Sequence, residues 1–192
     1  MDFHNLLENL KKQSFFSNLI IERGIEKESL RVTKNGYISN KKHPETLGSS
    51  YTNPSITTDF AESLIEIVTP TYTNVDELYE KLKIIHIFIN QNLKDEEMLW
   101  PFSMPPKIED ETKINIATYG KTNMGKLKHV YRKGLAIRYG KTMQCVSGIH
   151  YNFSISDKSL KPLGYSSQNE KNKAYLNLIR NFKRLFWFVL IE

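Results

Sequence analysis

Residues 143–155 read MQCVSGIHYNFSI, and their period of two sets the expected architecture. Met143, Cys145, Ile149, Tyr151, Phe153 and Ile155 fall on one face of an extended chain, with Ser147 the only polar interruption. Gln144, Val146, Gly148, His150, Asn152 and Ser154 fall on the other. An apolar face backed by a polar one is expected of an antiparallel strand packed on one side, so the spacing predicts a strand over 141–155. Gly148, His150 and Asn152 follow one another on the polar side, which reads as the floor of a site where a ligand approaches the backbone. A lone histidine is more often structural than catalytic. Cys145 reads as a packed thiol rather than a nucleophile.

Upstream, residues 3–19 read as a helix. Residues 19–32 read as a strand that Asn35-Gly36 turns back as a hairpin. The polar stretch 41–54, with Pro44, Gly48 and Pro54, is an expected loop. Residues 74–93 give the clearest helix, with Asn74 as cap, Glu77 three residues on, and a stripe of Leu78, Leu82, Ile85 and Ile89. A basic helix is expected over 126–139 and another from 168 to the end. Strands and helices alternate without a strict βαβ rhythm, so the class is α+β.

Composition excludes several alternatives. Of 192 residues, 40% are hydrophobic and 25% charged, which suits a folded domain rather than a disordered tail. One cysteine excludes a disulfide framework and a cysteine-based zinc finger, and it is compatible with a reducing cytoplasm. The opening MDFHNLLENLKKQS lacks an apolar run, so no secretory signal is expected. Residues 185–191 form the most apolar run, too short to span a bilayer. The net charge is +6, but residues 1–112 carry −6 and residues 113–192 carry +12. With 21 Lys against 6 Arg, the basic half is poorly suited to base recognition, and nucleic acid is not the expected partner. An acidic half for metal ions and a basic half for phosphate is the sharper reading.

Glu26 and Glu28, two apart, share a strand face, and two carboxylates so placed can grip or bridge Mg²⁺. An E-x-E pair by itself is more often a solvated face. In TTDFAESLIEIVTP (57–70), Asp59, Glu62 and Glu66 sit inside an apolar frame: as a helix they form one acidic stripe, as a strand Glu62 and Glu66 share a face, and the β-branched run at 65–69 favours a strand over the second half. Gly120, Thr122, Asn123 and Gly125 precede Lys126, Lys128, Arg132 and Arg138, a loop and basic helix able to meet phosphate, although no P-loop pattern is present.

Taken in order, RGIEKESLRV, HPETLGS, TTDFAESLIEIVTP, WPFSMP, YGKTNMGKLKHVYRKGLAIRYG and MQCVSGIHYNFS resemble the glutamate–cysteine ligase family in its proteobacterial form. The resemblance implies a glutamine-synthetase-like α+β fold, a curved antiparallel sheet with flanking helices, here incomplete. It implies ATP-dependent joining of the glutamate γ-carboxylate to cysteine through an acyl phosphate, in the cytoplasm, with ATP and Mg²⁺ (or Mn²⁺) as cofactors. It assigns metal-ligand roles to Glu26, Glu28, Asp59 and Glu66, and catalytic roles to His150, Asn152 and Arg132. It places Gly148 and Ser154 at the nucleotide and Phe60, Tyr131, Leu135 and Gln144 around the amino acid. Members are more than twice as long, so residues 1–192 are expected to be one partial catalytic domain truncated at its C-terminal end and inactive alone. Its expected partners are the substrates and either the missing part of the enzyme or a second copy meeting the apolar C-terminal helix, with no membrane. The alternative is a non-catalytic remnant or regulatory partner of that enzyme.

Overall fold

A computed structural model describes residues 2–12, 14–94 and 96–188. The chain forms two compact units, Arg23–Asn152 and Met1–Glu22 with Phe153–Glu192.

The larger unit is built on an antiparallel sheet. Strand β1 (Ile21–Val32) pairs with β3 (Leu64–Val68), β3 with β2 (Ile56–Thr58), and β1 also with β4 (Met98–Leu99) and β5 (Ile149–Ile155). The register sets Glu28 opposite Glu66 and Leu30 opposite Leu64. Alternation along β3 then divides the chemistry. Leu64, with Leu30, Phe60, Ala61, Ile114 and Cys145, makes one core cluster, against which Leu135 and Ala136 of α3 (Asn123–Tyr139) pack. Ile65 and Ile67 point the other way, into a second cluster with Leu47, Ile56, Ile85 and Ile89 of α2 (Val75–Asn92). Burying each such aliphatic side chain contributes roughly 1.5–3 kcal/mol. Glu28 and Glu66 share the face of Leu30 and Leu64, so the carboxylates lie on the side of the sheet that α3 covers in part.

In this unit the expected elements are present with three corrections. The hairpin at Asn35-Gly36 closes through Gly36 N–H to Thr33 O and Thr33 N–H to Tyr37 O, but it returns as a single bridge between Val32 and Ile38. Residues 56–69 are two strands joined by a turn, and Glu62 sits in that turn, off the face of Glu66. Its carboxylate accepts Thr118 N–H, Thr118 Oγ1–H and His43 N–H, and so it is a buried brace. Residues 141–155 are not one strand. Met143–Cys145 form a 3-10 turn, with Gln144 N–H bonded to Lys141 O and Cys145 N–H to Thr142 O, which swings Cys145 into the core. The strand starts only at Ile149, and its expected core face is open: Ile149 and Tyr151 are 63% and 57% exposed.

Asn74 caps α2 by accepting Asp76 N–H and Glu77 N–H, as its position predicts. Thr122 caps α3 through Gly125 N–H. Arg31 is fully buried and bonds Glu97 Oε2 at 2.7 Å and the carbonyls of Lys41, Lys42 and Glu62.

In the smaller unit, α1 (Phe3–Lys12) stops short of the expected 3–19 helix, for Ser14 takes a φ of 52° and a 3-10 turn follows at Phe16–Asn18. Ile20 N–H bonds Ser159 Oγ, and Ser156 N–H bonds Ile20 O. After the short α4 (Asp157–Leu160), α5 (Gln168–Leu185) opens on a Ser167–Glu170 capping box. Phe182, Phe186, Trp187 and Phe188 are exposed, and the rest of the apolar run at 189–191 lies outside the described residues. Among the described residues no helix is long and apolar enough to cross a membrane.

Candidate functional site

The E-x-E pair of β1 gains its meaning from β5. Asn152 Nδ2–H donates to Glu26 Oε1 at 3.0 Å, and His150 Nδ1 lies 3.2 Å from Glu26 Oε2. An ionised carboxylate only accepts, so this contact places a proton on Nδ1. Glu28 Oε2 accepts Gly148 N–H at 2.7 Å, and Glu28 N–H donates back to Gly148 O. A side chain at position 148 would lie 3.3 Å from His150 Nε2 and 3.6 Å from Glu28 Oε2. The space above Gly148 is thus taken by His150 and Glu28 of the protein itself.

Asp59 directly follows β2 and Glu66 lies on β3, so the turn between the two strands brings a third and a fourth carboxylate near Glu26 and Glu28. Burial and the charges of Asp59, Glu28 and Glu26 push Glu66 up to about 7, with His150 opposing. Glu28 is raised too, by burial first and by Asp59 and Glu26, against the Gly148 N–H bond and His150. Four acids therefore crowd one face. Arg132 Nη2 is 3.7 Å from Asp59 Oδ1, but the rest of its guanidinium is spent on the carbonyls of Asp59 and Lys128.

Hard carboxylate oxygens suit Mg²⁺ or Mn²⁺. Among the described residues no three His, Cys, Asp or Glu side chains converge on one point. Mg²⁺ is usually held by one or two carboxylates, with water and substrate phosphates supplying the rest. The donor set fits such an ion, with Glu28 and Glu66 the pair best placed by register.

The other expected site residues divide. Gly148, His150 and Asn152 join the carboxylate face, whereas Ser154 belongs to the smaller unit and its hydroxyl meets Tyr175 OH at 3.1 Å. Tyr131 is exposed on α3 and Gln144 half-buried in the 3-10 turn. Leu135 packs on the core, and Phe60 is 1% exposed within it. Phe60 can act on a pocket only by backing its wall. Two cavities of about 380 and 350 Å³ run along Lys42, Glu62 and Thr118 rather than over Glu28 and Glu66. Tyr119, which no sequence pattern singles out, proves central: it is buried, and its hydroxyl lies 2.8 Å from both Thr58 O and Asp59 O.

A profile described as glutamate-cysteine ligase matches residues 5–191. The chain is 45% identical over 190 residues to a glutamate–cysteine ligase of Hahella chejuensis, covering 96% of this chain and 36% of that protein. It is 49% identical over 173 residues to the one of Pseudomonas putida, with coverages of 87% and 33%. Among solved structures it is similar to glutamate–cysteine ligase from Francisella tularensis in complex with AMP, at TM-score 0.81 and 36% identity, covering 88% of this chain and 34% of that one. A bifunctional glutathione synthetase from Pasteurella multocida gives TM-score 0.85 and 32% identity, with coverages of 96% and 25%. The chain thus spans about a third of the length of the curated relatives it matches.

Proposed function

The chain belongs to the glutamate–cysteine ligase family, and on that premise we propose that it is the part of such a ligase that handles metal and phosphate. The reaction is ATP-dependent ligation: the glutamate γ-carboxylate takes the terminal phosphoryl group of ATP, and the cysteine amine then attacks the acyl phosphate and expels phosphate. A divalent cation, Mg²⁺ or Mn²⁺, supplies charge neutralisation between two approaching anions. Glu26, Glu28, Asp59 and Glu66 are the residues proposed to hold it. His150 and Asn152 fix the orientation of the Glu26 carboxylate, and Arg132 fixes Asp59. Gly148 and Ser154 are assigned to the nucleotide, and Tyr131, Leu135 and Gln144, backed by Phe60, to the amino acid. No protein nucleophile is needed, in keeping with the burial of Cys145.

The observation that carries this reading is the set of four carboxylates on one half-buried face, with Glu66 raised to about 7 by burial and by the charges of Asp59, Glu28 and Glu26. Residues 1–192 act in this reading as a single partial catalytic domain of a cytoplasmic enzyme. They do not turn over substrate alone, and the exposed aromatic end of α5 meets the remainder of a ligase or a second copy.

Titration of the chain with Mn²⁺ tests the reading, followed by paramagnetic broadening of amide resonances. Broadening should centre on Gly148 and Glu28 and weaken in Glu28→Gln and Glu66→Gln. Broadening elsewhere, or folded variants that respond like the unaltered chain, would remove the metal assignment.

A further inference from the structure

We infer that Tyr119 is a positioning residue for Asp59, setting the main chain from which that carboxylate projects onto the site face. The inference rests on the metal reading above and adds to it a residue outside the carboxylate set.

The turn between β2 and β3 would otherwise be free to shift Asp59 relative to Glu66. Residues 115–119 hold it. Glu62 N–H bonds Asn115 O at 2.9 Å, Ala117 N–H bonds Phe60 O at 2.9 Å, and Thr118 bonds the Glu62 carboxylate through N–H and Oγ1. Tyr119 ends this row at the root of Asp59. Its hydroxyl has one proton and two carbonyl oxygens at 2.8 Å, those of Thr58 and Asp59, with Thr58 Oγ1–H donating to it at 3.3 Å. Burial pushes the phenol up to about 12, so it remains a donor throughout the neutral range.

The ring is fixed as firmly as the hydroxyl. The Arg132 guanidinium stacks 4.6 Å from its centroid and the Lys128 ammonium lies 5.1 Å away. Arg132 Nε–H also donates to Asp59 O, so both residues grip the same peptide. Gly125 secures the backbone end. A Cβ there would come 2.2 Å from Tyr119 O and 2.9 Å from its carbonyl carbon, main-chain atoms that cannot step aside. Only glycine lets the first turn of α3 rest on Tyr119, and α3 thereby brings Lys128 and Arg132 to the ring.

Tyr119→Phe keeps the ring and its stacking and removes only the hydroxyl. Loss of that bond should weaken Mn²⁺ binding about five-fold, by the same amide broadening, with circular dichroism of the unaltered chain. A residue that served stability alone would lower the thermal midpoint and leave Mn²⁺ affinity of the folded protein where it was. Asp59→Asn should weaken binding as well, and adding Tyr119→Phe to it should weaken it no further, since one acts through the other. If Tyr119→Phe does not fold, Gly125→Ala displaces the Tyr119 carbonyl with the hydroxyl present and should weaken binding in the same direction. Mn²⁺ binding reduced by Glu66→Gln but untouched by Tyr119→Phe overturns this inference and leaves the proposed function standing. Binding untouched by either, or no binding by the unaltered chain, removes both.

Discussion

Glu28 of β1 and Glu66 of β3 stand directly opposite one another in the antiparallel register, two like charges on a half-buried face. Side chains so paired have Cβ atoms about 4.5–5.5 Å apart, and like charges there destabilise the sheet. The proposed cation would neutralise such a pair.

The first consequence is a pH dependence of unusual sign. Glu66 is raised from 4.5 to about 7 on folding, so between those values the folded chain binds more protons than the unfolded one. Stability from this group is present below about pH 4.5 and is lost as pH rises to about 7. The thermal midpoint of the unaltered chain should therefore fall between about pH 5 and pH 8 by more than that of Glu66→Gln. Added Mg²⁺ should restore part of the loss at pH 8 in the former alone. Parallel pH curves for the two proteins would show that Glu66 carries no such strain.

Cys145 should be chemically silent in the native state. It is buried and its thiol is pushed up to about 12, chiefly by burial and then by Glu111. A colorimetric thiol reagent should find no reactive sulfur until denaturant is added, and then one per chain. Rapid native labelling would contradict the core position.

The Arg31–Glu97 pair gives a larger effect. Both side chains are almost wholly enclosed, 0% and 4% exposed. Glu97→Gln leaves a buried guanidinium without its counter-charge and should cost about 3–5 kcal/mol. Arg31→Met with Glu97→Met should recover a good part of that, by denaturant titration, because no charge is then stranded. A single variant as stable as the unaltered chain would rule out the pair as an anchor of the 41–42 and 62 segments.

Local signals carried well into the structure wherever they were self-contained. Asn74 caps its helix, Leu78, Ile85 and Ile89 are buried, and Asn35-Gly36 turns the chain. The period of two over 143–155 misled, since 3-10 bonds claim Met143–Cys145 and alternation does not reveal whether anything covers the apolar face. Glu62 and Glu66 looked equivalent in sequence. The turn before Leu64 separates them into a buried brace and a carboxylate of the candidate site, and only tertiary pairing with Thr118 decides which is which. Tyr119 had no local signature, for its role depends on residues 60 or more positions earlier.

The most direct test of the central claim is γ-glutamylcysteine formation by a chimera. The matching third of the Hahella chejuensis ligase is replaced by this chain, and product is measured with glutamate, cysteine, ATP and Mg²⁺. The account predicts product from the folded chimera and a loss of about a hundred-fold or more in turnover with Glu66→Gln, as for removal of a charge-stabilising group. A folded chimera without product, or one indifferent to Glu66→Gln, would contradict it.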